Sequence, residues 1–403
     1  ALIIIMAIST ELIAYDIYKR CETRTSTSLI VLDVLTLLIF SNAFFNEWFY
    51  FKFASVQWIL CIANGVIAVL FFDEDRMKCL ASWLFLIISF NAYQVGVCLF
   101  FSFVLVKIYC EEGGRFNLYA IKKITRAIVV IGVSLLSNLL WAKYNIPDDY
   151  ITRYNHNGFS LIEAINKLTD EIKLIFLKGD RLYPGFALTI VPIIGFIILG
   201  VVCKHEKKYR EFIDSIVFFL LILLSTFAPT FFTQTQYTIR TEVSLFIALL
   251  CPFIFSFVHI NNTDVVFLRY LKRTIVVAMI SVEMMTLLCS QKCIKTLNIV
   301  NLMDRKNCEY IQQAIQKYED ETGTEVLYVG VDRNVDYEIA DKGMEMFGKS
   351  GFSTSWSDVY MIGYYSGNTY KYVQTDYSYG NKVNSDGRDI WFVDNYAYVS
   401  LQK

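Results

Sequence analysis

Ten apolar runs, each closed by charged or turn-forming residues, set what this chain can fold into. They lie at about 1–17, 27–45, 55–72, 79–91, 93–108, 127–143, 183–202, 212–229, 241–258 and 274–290. A bilayer core about 30 Å thick takes roughly 20 apolar residues to cross as a helix, because lipid offers backbone amides no partner. Composition points the same way: 55% of the 403 residues are hydrophobic and only 19% are charged, too greasy for a soluble globular chain. The expected fold is an α-helical polytopic membrane protein over 1–290, followed by a small C-terminal α/β soluble domain over 291–403. The runs at 79–91 and 93–108 are short for independent crossings. They read as a close helical pair hinged at Asn91-Ala92-Tyr93-Gln94, or as a pair in which one member is re-entrant.

Loop charge gives an orientation, since short cytoplasmic loops collect Lys and Arg. Lys19, Arg20 and Arg24 form one basic loop, Arg76 and Lys78 a second, and Arg115, Lys122, Lys123 and Arg126 a third. Lys204, Lys207, Lys208 and Arg210 form a fourth, and Arg269, Lys272 and Arg273 a fifth. These loops are expected in the cytoplasm, while the alternate short loops carry little more than Lys52 and Arg240. Counting crossings then puts Ala1 and the C-terminal domain outside. Ala1 already lies within an apolar run, so a preceding segment is expected. Overall the charges balance, Lys+Arg 37 against Asp+Glu 38, which excludes nucleic acid as a partner.

The long outer loop at 144–182 contains an amphipathic helix near 160–177. Leu161, Ile165, Leu168, Ile172 and Ile175 recur at helical spacing opposite Glu163, Lys167, Asp170, Glu171 and Lys173, and Ser160 with Glu163 forms a capping box. The helix lies in the outer interface or packs on the bundle. Past 290, Cys308, Ile311, Ile315 and Tyr318 mark a helical face, and Glu325 to Val331 and Trp391 to Val399 read as strands. The tyrosines of this region suit sugar stacking and equally suit a small sheet. The ten cysteines are scattered without zinc or redox spacing, reading as small core residues. Cys289, Cys293 and Cys308 are open to a disulfide or to free thiols.

No phosphate-cradling glycine loop, metal signature or nucleophile elbow occurs, so no cofactor is evident, and a need for divalent metal is left open. Candidate chemistry falls on polar residues at the outer helix ends, where they are expensive beside lipid. Glu47 and Trp48 lie in the aromatic loop Ser41 to Tyr50, a belt with a solvated carboxylate or a sugar or general-base site. Tyr93 and Gln94 cap the hinge or bind substrate. Tyr237 and Arg240 lie in the hydroxyl- and amide-rich stretch Thr233 to Glu242, where the Arg can grip a phosphate bidentately or simply snorkel. Arg153 belongs to the polar stretch Asp148-Asp149 through Asn157.

Taken together, the pattern resembles the polytopic membrane glucosyltransferases of the GT-C class that decorate O-antigen and rhamnose-rich wall polysaccharides. The resemblance rests on Phe44-Phe45-Asn46-Glu47-Trp48-Phe49-Tyr50-Phe51-Lys52-Phe53, on Asn91-Ala92-Tyr93-Gln94, on Ile239-Arg240, on Ile315 to Gly323 and on Trp356-Ser357. It implies a glycosyltransferase of the bacterial cytoplasmic membrane. Such an enzyme moves glucose from a polyprenyl phosphate-sugar donor to a polysaccharide acceptor on the outer face. It also implies a catalytic acidic pair in a first outer loop, before Ala1. Arg240 would then hold the lipid phosphate, with Glu47, Trp48, Tyr93, Gln94, Arg153 and Tyr237 lining the sugar or acceptor site. Rival readings are a flippase for lipid-linked saccharide, a polysaccharide polymerase, and a non-catalytic assembly protein; transporters usually show internal repeats and polar or broken segments at mid-membrane, whereas here the polar residues gather at the outer ends. A bacterial alkaline phosphatase fused after Lys403 is expected to be active, since it would lie outside; an inactive fusion, with activity after Lys123 instead, would invert the orientation.

Overall fold

The computed structural model describes residues 1–20, 26–42, 45, 55–145, 160–178, 185–233, 242–259, 265–331, 350, 352, 358–373, 381–385 and 388–401. The chain divides into two compact units, Ala1–Leu288 and Cys289–Lys403.

The first unit is helical. Its elements are α1 (Leu2–Arg20), α2 (Ser26–Phe40), α3 (Ser55–Phe71), α4 (Arg76–Ala92), α5 (Val95–Glu111), α6 (Leu118–Asn145), α7 (Leu161–Lys173), α8 (Gly185–His205), α9 (Tyr209–Thr226), α10 (Ala228–Thr233) and α11 (Leu245–His259). A twelfth helix, α12 (Val265–Thr322), begins in this unit and ends in the other. Among the described residues three stretches are long and apolar enough to cross a membrane: Leu118–Trp141, Ala187–His205 and Arg273–Thr322. α3 and α11 are shorter apolar helices. Many large side chains of these helices, such as Leu139, Trp141, Ile197 and Ile280, are exposed on the protein surface, as expected where the outer solvent is hydrocarbon.

α4 and α5 hold 17 residues each, about 26 Å at 1.5 Å per residue. The chain breaks between them because Tyr93 leaves the helical region, with φ −162° and ψ 133°, while its N–H still reaches the Ser89 carbonyl. α5 then packs tightly at Gly96. A Cβ there would lie 2.1 Å from Ser89 Oγ and 3.2 Å from Cys61 Sγ. The Ser89 hydroxyl donates to the Cys61 carbonyl at 2.7 Å, so small residues of three helices let their backbones close on one another.

Among the described residues, four of the basic loops gather at one end of this unit. Arg20 pairs with Asp16 and Glu111, and Lys123 with Glu111 and Glu112. Arg126 donates to the Asp73 carbonyl, and Arg115 pairs with Glu211. Deeper at this end the buried Tyr109 hydroxyl meets Ser215 Oγ and His259 Nε2, both at 2.7 Å. Gly114, at φ +79°, leaves the space that His259 fills, since a Cβ there would lie 2.4 Å from the ring.

In the second unit, β1 (Tyr328–Val331), α13 (Asp358–Ser366), β2 (Lys371–Tyr372), β3 (Asn381–Ser385), β4 (Arg388–Val393) and β5 (Tyr396–Ser400) follow the end of α12. The sheet order is β2-β1-β5-β4-β3. β1 is parallel to β2 and β5, and the β3-β4-β5 meander is antiparallel. Val329, Val331, Ile390, Phe392, Ala397 and Val399 form one core with Ile311 and Ile315 of α12 and Val359 and Ile362 of α13. Cys308 belongs to that core, and Cys289, Cys293 and Cys308 are free thiols.

Gly96→Leu is expected to lower the thermal midpoint of the detergent-purified protein, because overpacking a tight interface costs about 1–3 kcal/mol. Gly132→Leu, at an open position, is the control. Equal midpoints for both would show that the α4–α5 contact is not the close one described.

Candidate functional site

At the end opposite the basic loops, polar side chains come together from α7, α10 and the turn entering α11. α7 starts at Ser160, whose hydroxyl accepts from the Glu163 amide at 3.4 Å. The helix presents a narrow inward stripe, with Ala164, Glu171 and, just beyond it, Ile175 buried. Leu161 and Ile165 stay 57% and 49% exposed. One stripe packs on α10, and the neighbouring apolar residues are left outside that contact. Glu171 corrects the sequence expectation. The spacing puts it on the polar face, but at 100° per residue it falls at the border of the apolar arc, and the packing turns it inward.

Glu171 is 4% exposed and Glu242 fully buried. The Glu171 carboxyl interacts with the hydroxyl of Thr230 and with the carboxyl of Glu242, and all four carboxyl oxygens are shut off from solvent. Local sequence sets up both partners. α9 ends at Thr226, and Pro229 is tolerated in the first turn of α10, where its missing N–H breaks no helical bond; this presents Thr230 on the following turn. Glu242 stands where the chain enters α11, its carbonyl accepting from the Leu245 amide at 2.9 Å.

Two carboxyls in one dry site cannot both ionise cheaply. Burial pushes Glu171 up to about 7, against the lowering effect of Thr230 and Glu242. Burial thus keeps a proton on Glu171 towards neutral pH. Further hydroxyls meet where α9 ends: Ser244 Oγ donates to Thr226 Oγ1 at 3.4 Å, and Ser225 meets Ser102 of α5 at 2.8 Å. Such a pair can accept a proton, return one, or orient a sugar hydroxyl.

Of the residues singled out from sequence, Tyr93 and Gln94 are described. They form the α4–α5 break at the same end, where the Tyr93 carbonyl accepts from the Cys61 thiol at 3.5 Å and Gln94 starts α5 without a side-chain cap. Nearby, Asn138 donates to Asn91 at 2.6 Å. Glu47, Trp48, Arg153, Tyr237 and Arg240 lie outside the described residues. Glu242 closes the stretch that contains Arg240, so sequence reading reached its neighbourhood but chose a different member. Also at this end, α1 and α2 border a largely apolar groove of about 240 Å³, lined among others by Met6, Ala7, Thr10, Phe40, Asn42 and Phe45. Among the described residues no group of three or more His, Cys, Asp and Glu side chains is placed to hold a metal ion.

A family model described as Glucosyl transferase GtrII matches residues 2–257, more than half of the chain. No curated protein and no solved structure matches it.

The raised Glu171 gives a signed pH dependence. In the unfolded chain it titrates near 4.5, and in the folded protein near 7, so the folded state binds more protons across that window and stability falls as pH rises through it. The thermal midpoint is expected to drop between pH 5 and pH 8, and Glu171→Gln to flatten the drop. An unchanged slope in the variant would remove Glu171 as its source.

Proposed function

The chain belongs to the glucosyl transferase GtrII family, and from that membership we propose that it moves a glucosyl unit from a polyprenyl phosphate to a cell-surface glycan. In this reading the chemistry occupies the end of the helical unit that holds Glu171 and Glu242. The chain crosses the bacterial cytoplasmic membrane about ten times and carries its C-terminal domain outside. The observation that carries the reading is the buried carboxyl pair, poised to exchange a proton near neutrality at a helix-bundle end that also offers an apolar groove.

The proposed step is a direct displacement. An acceptor hydroxyl oxygen forms a bond to the sugar C1 while the bond from C1 to the phosphate oxygen breaks, and the electron pair leaves on the lipid phosphate. The hydroxyl proton passes to the pair in its deprotonated form, with Glu171 as the acceptor group. A base of this kind contributes about 10²–10⁴-fold to rate. Arg240, two positions before Glu242, is assigned to the departing phosphate, for which a guanidinium fork is suited. Tyr93, Gln94, Tyr237, Arg153, Trp48 and Glu47 are proposed to line the sugar and acceptor. The groove between α1 and α2 suits the first isoprene units of the carrier.

Purified protein incubated with polyprenyl phosphate-glucose and acceptor glycan is expected to release polyprenyl phosphate. Rate should rise with pH through about 7 as Glu171 loses its proton. Glu171→Gln is expected to lose about 100-fold or more and to flatten that profile, and Arg240→Ala to abolish release at unchanged membrane yield. Full activity in either variant would strike that residue from the mechanism. No release by the unaltered protein would favour a transport or scaffold role.

A further inference from the structure

α7 does not end at Lys173 but runs on as one π-helical turn, Leu174–Lys178. Such turns are rare and are frequent at functional sites. This one adjoins Glu171: the Leu174 amide is shared by the Asp170 and Glu171 carbonyls, which ties the π turn directly to the residue that carries the carboxyl. The last carbonyls of a helix have no donor within it. Here the hydroxyl of Thr189, on α8, donates to the Phe176 carbonyl at 2.9 Å, and the π turn packs along α8.

The hold on α7 is otherwise slight. Within the helix Ala164 and Glu171 are buried, joined by Ile175 in the π turn. Leu161, Ile162 and Ile165 are exposed, and so are Asp170 and Ile172 on either side of Glu171. Apolar contact is non-directional, so a stripe this narrow resists rotation of the helix about its axis only weakly. One residue occupies about 100° of the helical turn, and a fraction of that rotation would carry Glu171 away from Thr230 and Glu242. A hydrogen bond, by contrast, is directional. The Thr189–Phe176 bond lies just past Glu171 and reaches α8, whereas Thr230, the hydroxyl partner of Glu171, is on α10. Two anchors on different helices fix the rotation that the stripe leaves loose.

We propose that Thr189 is a positioning residue that keeps Glu171 turned towards Glu242; its effect on catalysis rests on the glucosyl-transfer reading above, whereas the positioning itself does not. The positioning is read in full-length Glu171→Cys protein in detergent, from the rate at which N-ethylmaleimide labels position 171, followed by mass spectrometry. Adding Thr189→Val is expected to speed labelling about tenfold, the upper end of what one hydrogen bond supplies, and adding Thr189→Ser, which keeps the hydroxyl, to leave it slow. Thr169→Val is the control, since it removes a hydroxyl bonded within α7 to the Ile165 carbonyl at 2.7 Å; it should leave labelling slow as well. With Glu171 in place, Thr189→Val should move the rise of release rate with pH to lower pH, because a carboxyl brought into water returns towards its ordinary range, and Thr189→Ser should restore it. If Thr189→Val does not fold, Thr189→Ala replaces it. Equal labelling with and without Thr189→Val overturns the proposal, as does equally fast labelling in Thr189→Ser. Faster labelling with no release from the unaltered protein upholds the positioning and removes the transfer reading, while unchanged labelling with normal release does the reverse.

Discussion

Lipid gives a buried polar group nothing to bond to, and the architecture of the helical unit follows from that one constraint. Lys107 shows how strictly it applies. The residue is 2% exposed, yet its ammonium donates to the Val69 carbonyl at 2.9 Å, near the end of α3, and stands 3.7 Å from Asp16. It shares the Val69 carbonyl with the Phe72 amide and reaches the Leu70 carbonyl at 3.4 Å, with the favourable sign of charge for a helix C-terminus. Ser89 on the Cys61 carbonyl, and Tyr109 between Ser215 and His259, answer the same demand at helix contacts.

Against that background the Glu171–Glu242 pair stands out, because it brings two carboxyls together in a dry place. The opposite end pairs its carboxyls with cations, Arg20 with Glu111 and Lys123 with Glu111 and Glu112. One end ties helices together through ion pairs, while the other brings two buried carboxyls into contact. A group tuned towards neutral pH by burial has the character that acid–base chemistry needs.

The same logic of faces governs the second unit. Alternation in β5 sends Ala397 and Val399 to the core and Tyr396 and Tyr398 to the other side. Parallel pairing with β1 then adds Tyr328 to that row. The stacked tyrosine row is therefore a product of register between strands distant in sequence, and a one-residue slip would scatter it.

Much of the helical unit is written locally. Apolar runs separated by charged loops dictate helices, Ser160 announces the start of α7, and the polar pair Tyr93-Gln94 marks where α4 stops and α5 begins; each depends on neighbours along the chain. Basic residues also reveal that alternate loops belong to one end. The candidate carboxyl pair was not legible in this way. Glu171 carries the spacing of a solvated residue at the edge of an amphipathic helix, and only packing of α7 on α10 turned it inward. Glu242 could be seen as part of a polar stretch, but its meeting with Glu171 required distant segments to converge. Local periodicity determines which residues form helices and strands, because it sets which side chains share a face. Burial, and with it the proton affinity of a carboxyl, depends on what covers that face, which only the tertiary structure decides.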